Sequence, residues 1–176
     1  MAFQLSEQLR DFISKLGQHA GYTSAPEGYD VWHKHSTCMR IVHQNGEYLL
    51  GSYERNDPPR FDFSSTELHL LEKQIAANLG AGYRAEKNLP ALDWMKWARN
   101  VKEGYTIEQR DAKHCTLSHE STGIIPVIIR TIGRYNSIAS RFSYLAGESL
   151  DDIIRSFLSP SGGPLFEGEF LDLSGR

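Results

Sequence analysis

The stretch Met39-Arg-Ile-Val-His-Gln-Asn-Gly-Glu-Tyr-Leu-Leu-Gly-Ser-Tyr53 decides the fold class of this chain. Asn45-Gly46 is the strongest short signal for a β-hairpin, because both residue types tolerate the positive φ angles of a tight hairpin turn. The flanking runs Met39–His43 and Glu47–Tyr53 contain β-branched and aromatic residues, which favour strands. The sequence therefore predicts two antiparallel strands at this point.

Further strands are predicted on both sides of this hairpin. Tyr29–Trp32 precedes it, and Phe61 and Phe63 follow Pro58-Pro59 at a spacing of two, which predicts a short strand with both rings on one face. The strands predicted in the C-terminal half are 106–110, 115–118, 124–132 and 138–144.

Four helices are predicted where apolar residues recur at helical spacing. The predicted helices are one capped by Ser6 that ends at Gly21, one that starts at Ser64 and stops at Gly80 and Gly82, one that starts near Asp93 and closes at Gly104-Tyr105, and one that starts at Ser149 and ends before Pro160. Trp94 and Trp97 stand three residues apart on the third helix, which favours a place in the core over a stacking platform for bases or sugars.

Two short patterns occur at nearly constant spacing. Gly21-Tyr22-Thr23 at the end of the first predicted helix matches Gly104-Tyr105-Thr106 at the end of the third, at an offset of 83 residues. The predicted helix starts Ser64 and Ser149 lie 85 residues apart. The alternative to duplication is coincidence among common helix-ending signals.

From these elements we predict an α+β fold. Two diverged helix, antiparallel strands and helix units, about residues 1–88 and 89–176, are expected to pack as one compact body. The whole chain, residues 1–176, is expected to be a single domain.

Composition excludes several classes of protein. The 176 residues carry 19 basic and 22 acidic side chains, a net charge of −3, with 40% hydrophobic and 23% charged residues. These values are typical of an ordinary soluble globular protein, and the scattered basic residues disfavour nucleic acid as a partner. The acidic start lacks a signal peptide and no run of about 20 apolar residues could cross a membrane, so a cytoplasmic location is predicted.

Motifs that carry catalysis are absent from the sequence. It contains no Gly-rich phosphate loop, no Gly-x-Ser-x-Gly and no His-Glu-x-x-His. We therefore predict no enzymatic activity, no catalytic residue, no metal and no cofactor. Cys38 and Cys115 are predicted to be small buried thiols rather than a disulfide.

A histidine-rich segment offers the alternative of a small metal-dependent enzyme. His33 and His35 would share one face of a strand, with His43, Cys38 or Asp30 as a further ligand. The spacing resembles no known zinc scheme, so solvent-facing histidines on a sheet are the favoured interpretation.

Cys115 between His114 and His119 could also suggest a thiol nucleophile and its base. Adjacent residues on a strand point to opposite faces, however, so an ordinary strand is favoured.

One segment after the last helix has the composition of an interaction loop. Its residues are Ser159, Pro160, Ser161, Gly162, Gly163, Pro164, Leu165 and Phe166. It combines little side-chain bulk with an apolar tip, Leu165 and Phe166, and could enter a narrow cavity; a plain connector is the alternative. Arg10 and Lys15 on the exposed face of the first helix are further candidate contact residues, with solvated surface as the alternative.

The order of several short motifs resembles a family of bacterial immunity proteins from polymorphic toxin systems. The motifs are Ala20-Gly21-Tyr22, Trp32, Arg40, Gly46-Glu47-Tyr48, Phe61, Leu71-Glu72, Gly82-Tyr83-Arg84 and Leu89-Pro90. The resemblance implies a cytoplasmic antitoxin that binds a secreted NAD-hydrolysing toxin before export, 1:1, and blocks its active site sterically. The alternative within binding proteins is a generic adaptor. If the loop is the block, bulk at Gly162 or Gly163 is expected to weaken inhibition more than folding.

Overall fold

A computed structural model describes residues 3–25, 27–34, 38–53, 59–131 and 137–171. Eight strands form one antiparallel sheet in the order β1-β2-β3-β4-β5-β8-β7-β6. The strands are β1 Ala20–Ala25, β2 Gly28–His33, β3 Cys38–Gln44, β4 Glu47–Tyr53, β5 Arg60–Ser65, β6 Tyr105–Gln109, β7 His114–His119 and β8 Gly123–Arg130. The helices are α1 Glu7–Lys15, α2 Leu68–Glu86, α3 Trp94–Arg99, α4 Ser137–Ala146 and α5 Leu150–Leu158, with a 3-10 turn at Gly17–His19.

The central hairpin is confirmed at its predicted turn. Gln44 pairs with Glu47, so Asn45 and Gly46 alone form the loop. Their φ angles are 54° and 81°, which is the combination that a two-residue turn with right-handed strand twist requires.

The helices and the sheet share one core, which confirms the α+β class. Neighbouring strands present Val31, Ile41, Leu50, Phe63 and Ile129 on the same face, and none of these side chains is more than 5% exposed. The longest helix, α2, packs against this face and against α5. Burying each such side chain contributes about 1.5–3 kcal/mol to stability.

The first helix is shorter than predicted, and a strand follows it. Ser6 caps α1 as expected, its Oγ accepting from the Leu9 N–H at 3.3 Å. The helix ends at Lys15, because Gly17 adopts the left-handed conformation with φ of 59°. The predicted stop at Gly21 is therefore wrong, since Ala20–Ala25 forms strand β1.

The second helix differs from its predicted bounds at both ends. Ser64 lies in β5, and α2 begins at Leu68. Gly80 and Gly82 do not end the helix, which runs on to Glu86. Both glycines are needed for close packing, since a Cβ would lie 2.2 Å from the Phe157 Cγ at Gly80 and 2.6 Å from the His33 Nδ1 at Gly82.

Two predictions in the C-terminal half also change. The predicted strand 138–144 is wrong, because Ser137–Ala146 is helix α4. Its buried Ala139, Phe142 and Leu145 recur every three residues, which is a helical spacing. α3 ends at Arg99 rather than at Gly104, although Trp97 is buried as predicted at 1% exposure.

The two proposed sequence repeats gain no support from these bounds. Ser64 lies within a strand whereas Ser149 caps α5, so the second correspondence no longer joins two helix starts. Gly21 and Gly104 instead stand at the beginning of β1 and directly before β6. Duplication of residues 1–88 and 89–176 stays a prediction.

A buried carboxylate links α2 to the start of α1. Glu72 is 2% exposed, and its Oε1 accepts from the Ser6 N–H at 2.6 Å. Burial raises the pKa of Glu72, and the hydrogen bonds from Ser6 oppose that rise. The folded protein therefore binds this proton more tightly than the unfolded chain does.

Glu72→Gln is expected to change how stability depends on pH. Glutamine keeps the acceptor for Ser6 but does not titrate. In the wild type, the contribution of Glu72 to stability is largest at acidic pH. It falls as the pH rises from the ordinary carboxyl pKa to the raised one. In urea unfolding from pH 4 to pH 8, the free energy of unfolding of the variant should rise relative to that of the wild type across that window. The exposed Glu103→Gln is the control, and a pH-independent difference for Glu72→Gln would contradict this account.

Candidate functional site

The loop after α5, Ser159–Phe166, is folded onto the body of the protein. Phe166 is 1% exposed, and its ring lies 4.9 Å from that of Phe157 and 5.3 Å from that of Trp97 between centroids. The N–H of half-buried Leu165 donates to the Ser156 Oγ at 2.9 Å. Phe166 is thus not the exposed apolar tip that its sequence context predicts, because its ring completes the aromatic core under the loop.

Arg84 of α2 binds the backbone at the beginning of this loop. Its side chain is 1% exposed, and its guanidinium lies 4.4 Å from the centre of the Phe170 ring. It donates to the backbone carbonyl oxygens of Pro90 at 2.7 Å, Phe157 at 3.2 Å, Ser159 at 2.6 Å and Pro160 at 3.2 Å. Burial lowers the pKa of Arg84. One side chain therefore fixes the position of the loop backbone relative to α2.

The segment after the loop is tied to α3. The Glu169 carboxylate accepts from the Lys96 Nζ at 2.8 Å and from the Trp97 Nε1 at 3.0 Å. These hydrogen bonds lower the pKa of Glu169. Phe170 forms a single antiparallel bridge with Leu92. Both ends of the loop are thereby attached to the helical layer.

The exposed part of the loop is small. Pro160, Ser161 and Pro164 are exposed, whereas Gly162 is buried. At Gly162 φ is 83°, and a Cβ would lie 2.3 Å from the Phe170 Cζ, so bulk there would disturb the fold directly. For Gly162 the structure therefore predicts a direct effect of bulk on folding, and its effect on inhibition stays a prediction. At Gly163 the atoms nearest to an added Cβ belong to the flexible Glu167 side chain, whose Oε1 would lie 2.6 Å away.

Arg10 and Lys15 are both exposed on α1, as predicted. α1 packs against α5, the helix that leads into the loop, and Lys15 is the last residue of α1. The structure thus places these two cations on the helical side of the molecule.

The histidine-rich segment is not a solvent-facing row. His33 is 2% exposed and faces the helices, because it shares a face of β2 with Val31. Its Nε2 lies 3.8 Å from the Glu86 Oε2, and His43 stacks on Tyr48 at 4.5 Å. His35 lies outside the described residues. Among those described, no three His, Cys, Asp or Glu side chains are grouped so as to hold a metal ion.

Cys115 is a free thiol in the core. It is fully buried, its Sγ lies 3.6 Å from the Ile129 carbonyl oxygen, and burial raises its pKa. His114 points to the other face of β7 and contacts Asp111 at 3.0 Å. Both cysteines are free, although Cys38 is only half-buried.

Two exposed aromatic side chains lie at the β1 edge of the sheet, Tyr22 in β1 itself and Trp32 in the neighbouring strand β2. Tyr22 is 39% exposed and lies on the same face of the sheet as Val31, the face that α2 covers. Trp32 is 37% exposed on the opposite face. The Trp32 ring lies over Gly21, where a Cβ would be 2.7 Å from the ring. Sequence patterning misses this pair, because exposure of an aromatic residue on a strand depends on which face the helices cover.

The family model for Immunity protein 61 matches residues 16–165 of the chain. The chain belongs to the Immunity protein 61 family. The match spans the whole sheet, α2 to α5 and most of the Ser159–Phe166 loop, whereas Arg10 and Lys15 precede it. The expected resemblance to bacterial immunity proteins is therefore confirmed at the level of the family.

A solved structure has the same fold as this Immunity protein 61 member. Rv3902c from M. tuberculosis superposes with a TM-score of 0.72 and 22% sequence identity, covering 92% of each chain. At that identity the likeness concerns the fold. Among curated protein sequences, none matches this one significantly.

The helices of this immunity protein give no sign of a membrane span. Across the residues that the structure describes, none of them is both long and apolar enough to cross a bilayer.

Proposed function

We propose that this immunity protein neutralises an NAD-hydrolysing toxin in the cytoplasm by binding it 1:1 and covering its active site. Membership of the Immunity protein 61 family supports a toxin as the partner. The order of sequence motifs, with its resemblance to immunity proteins of toxins that hydrolyse NAD, supports that toxin class. Neutralisation is steric and needs no catalytic group of the immunity protein.

The observation that carries the proposed mechanism is the attachment of the Ser159–Phe166 loop at both ends. Arg84 holds its first carbonyl groups, and Phe166 anchors its end in the core. Binding a pre-ordered loop avoids much of the entropy loss that ordering a flexible one would cost. Pro160, Ser161 and Pro164 are small enough to enter a nucleotide cleft and exclude NAD.

Arg10 and Lys15 are proposed as contacts outside the cleft. Their exposure on α1 suits a polar rim, which affects the association rate more than the final affinity. A complex of this kind needs a total buried area of at least about 1,200 Å² with a few anchoring side chains.

The general proposal is tested with candidate NAD-hydrolysing toxin domains from the same genome. Co-expression should keep cellular NAD near the level of cells without toxin, and the purified mixture should have the mass of one copy of each chain. Continued loss of NAD in the presence of folded, bound immunity protein would overturn the proposed function.

Ser161→Trp is expected to weaken inhibition at least about tenfold, the equivalent of about 1.4 kcal/mol of binding free energy. The larger side chain would prevent the loop from entering the cleft. The measurement is residual NAD hydrolysis during titration of the toxin.

Thr122→Trp is the matched control for bulk, since Thr122 is exposed in the turn between β7 and β8. Thermal unfolding of both variants should match the wild type. Equal inhibition by Ser161→Trp and wild type would place the block on another surface.

A further inference from the structure

Strand β1 forms one edge of the sheet, and part of its backbone faces outward. The Lys34 N–H donates to the His19 carbonyl oxygen at 2.8 Å, and these two residues lie next to the Ala20–His33 pair, His19 directly before β1 and Lys34 directly after β2. Hydrogen-bonded pairs alternate along an antiparallel ladder, so Gly21 and Thr23 bond to β2. The N–H and C=O groups of Tyr22 and Ser24 therefore point away from the sheet. Within the described ranges these groups have no backbone partner.

The β1 edge lacks the features that normally prevent another strand from pairing. Its residues, Ala-Gly-Tyr-Thr-Ser-Ala, include no charge and no proline. Edge strands are usually protected by such residues or by a covering element. The opposite edge, β6, carries the exposed charge of Glu108. Among the residues that the structure describes, β1 is therefore the edge that is better suited to strand addition.

Exposed aromatic rings extend this edge on both faces. Tyr22 lies on the helical side, edge-to-face with Tyr29 at 5.9 Å. Trp32 lies on the other face and reaches the edge because Gly21 has no side chain. A strand added beside β1 would alternate its side chains between these two rings. Tyr and Trp are also the residue types most often found as anchors in protein interfaces.

We propose that an extended segment of the toxin binds here as a ninth strand, antiparallel or parallel to β1. The partner rests on the proposed function, and its recognition chemistry is main-chain hydrogen bonding plus apolar contacts.

The position of β1 favours a toxin that also contacts the loop. Glu86 at the end of α2 contacts His19, next to β1, at 2.9 Å, and Arg84 two residues earlier holds the loop. The end of α2 thus connects the loop to the start of β1, so a toxin bound at the loop also reaches this edge, and we assign the edge to the toxin.

Backbone amide exchange measured residue by residue tests the added strand. The probe is a catalytically inactive form of the same NAD-hydrolysing toxin domain that tests the proposed function. In the complex, exchange of the Tyr22 and Ser24 amides should slow at least about tenfold, while the Ile107 amide on the β6 edge stays unchanged. A complex that leaves the β1 amides unprotected would overturn the inference but not the proposed function.

Ser24→Pro removes one outward donor without removing a bond to β2, and should raise the Kd for the toxin at least about tenfold. Gln109→Pro is the matched control, since the backbone N–H of Gln109 points outward from the β6 edge. If Ser24→Pro unfolds, Trp32→Ala removes one flanking ring and should also weaken binding. Unchanged Kd for Trp32→Ala and for any folded Ser24→Pro would contradict strand addition.

Three further outcomes separate the two proposals. Absence of any complex overturns both. Protected β1 amides in a complex that still hydrolyses NAD, measured with active toxin, would overturn the proposed function and leave the added strand in place. Protection of β1 that grows with protein concentration without toxin would show that a second copy binds there instead, and would overturn the assignment to the toxin.

Discussion

Arg84→Ala is expected to lower the free energy of unfolding by about 3–5 kcal/mol. Each buried carbonyl that loses its donor costs about 1–3 kcal/mol, and the deleted side chain leaves a cavity beside Phe170. The guanidinium reaches carbonyl oxygens that lie 6 to 76 residues away in sequence, so the loss affects α2, α5 and the loop together. Urea unfolding of the purified variant measures this change.

Two comparisons make the Arg84 result specific. Arg99→Ala, at the exposed end of α3, should change stability by no more than about 0.5 kcal/mol. Arg84→Lys keeps a charge but cannot donate to four carbonyl groups in the same geometry, so it should lose part of the stability. A loss for Arg84→Ala as small as that for Arg99→Ala would show that the loop is held by its apolar contacts alone.

Gly80→Ala is expected to destabilise the protein by about 3 kcal/mol, although alanine is the better helix former. Helix propensity alone would favour alanine by about 1 kcal/mol. Packing has the larger effect, because the added Cβ would lie 2.2 Å from the Phe157 Cγ and force α2 and α5 apart. Chemical unfolding should therefore show a loss where propensity predicts a gain.

The control for Gly80→Ala is the reverse change on the exposed face of the same helix. Ala85→Gly should cost about 1 kcal/mol or less, as propensity predicts. If Gly80→Ala proved more stable than wild type, the close approach of α2 and α5 at Phe157 would be wrong.

Local chemistry was sufficient for several elements of this fold. Asn45-Gly46 forms the predicted turn because its φ preference does not depend on distant residues. Ser149 caps α5 as predicted, accepting from the Asp152 N–H at 3.0 Å. The predicted helix end at Gly80 and Gly82 was wrong, because the role of these glycines depends on contacts with the distant residues Phe157 and His33. Glycine near a helix end and glycine at a helix contact look alike in sequence.

The candidate site was only partly accessible to sequence reasoning. The composition of Ser159–Phe166 indicates a loop with little bulk, and the structure confirms a loop there. The attachment of this loop to α2 could not be predicted. In the sequence Arg84 is one polar residue of a helix, and its acceptors in the loop are known only from the structure. The exposure of Tyr22 and the outward backbone of β1 likewise require the strand order of the sheet.

The sequence by itself determined the α+β class, the central hairpin, the helix caps at Ser6 and Ser149, and the immunity family that the motif order resembles. These features depend on residues close together in the chain. Only the tertiary structure decided that Phe166 is buried, that Arg84 holds the loop, and that β1 is an edge strand of the sheet. Each of those depends on segments far apart in sequence meeting in space, where packing and hydrogen bonding override local preference.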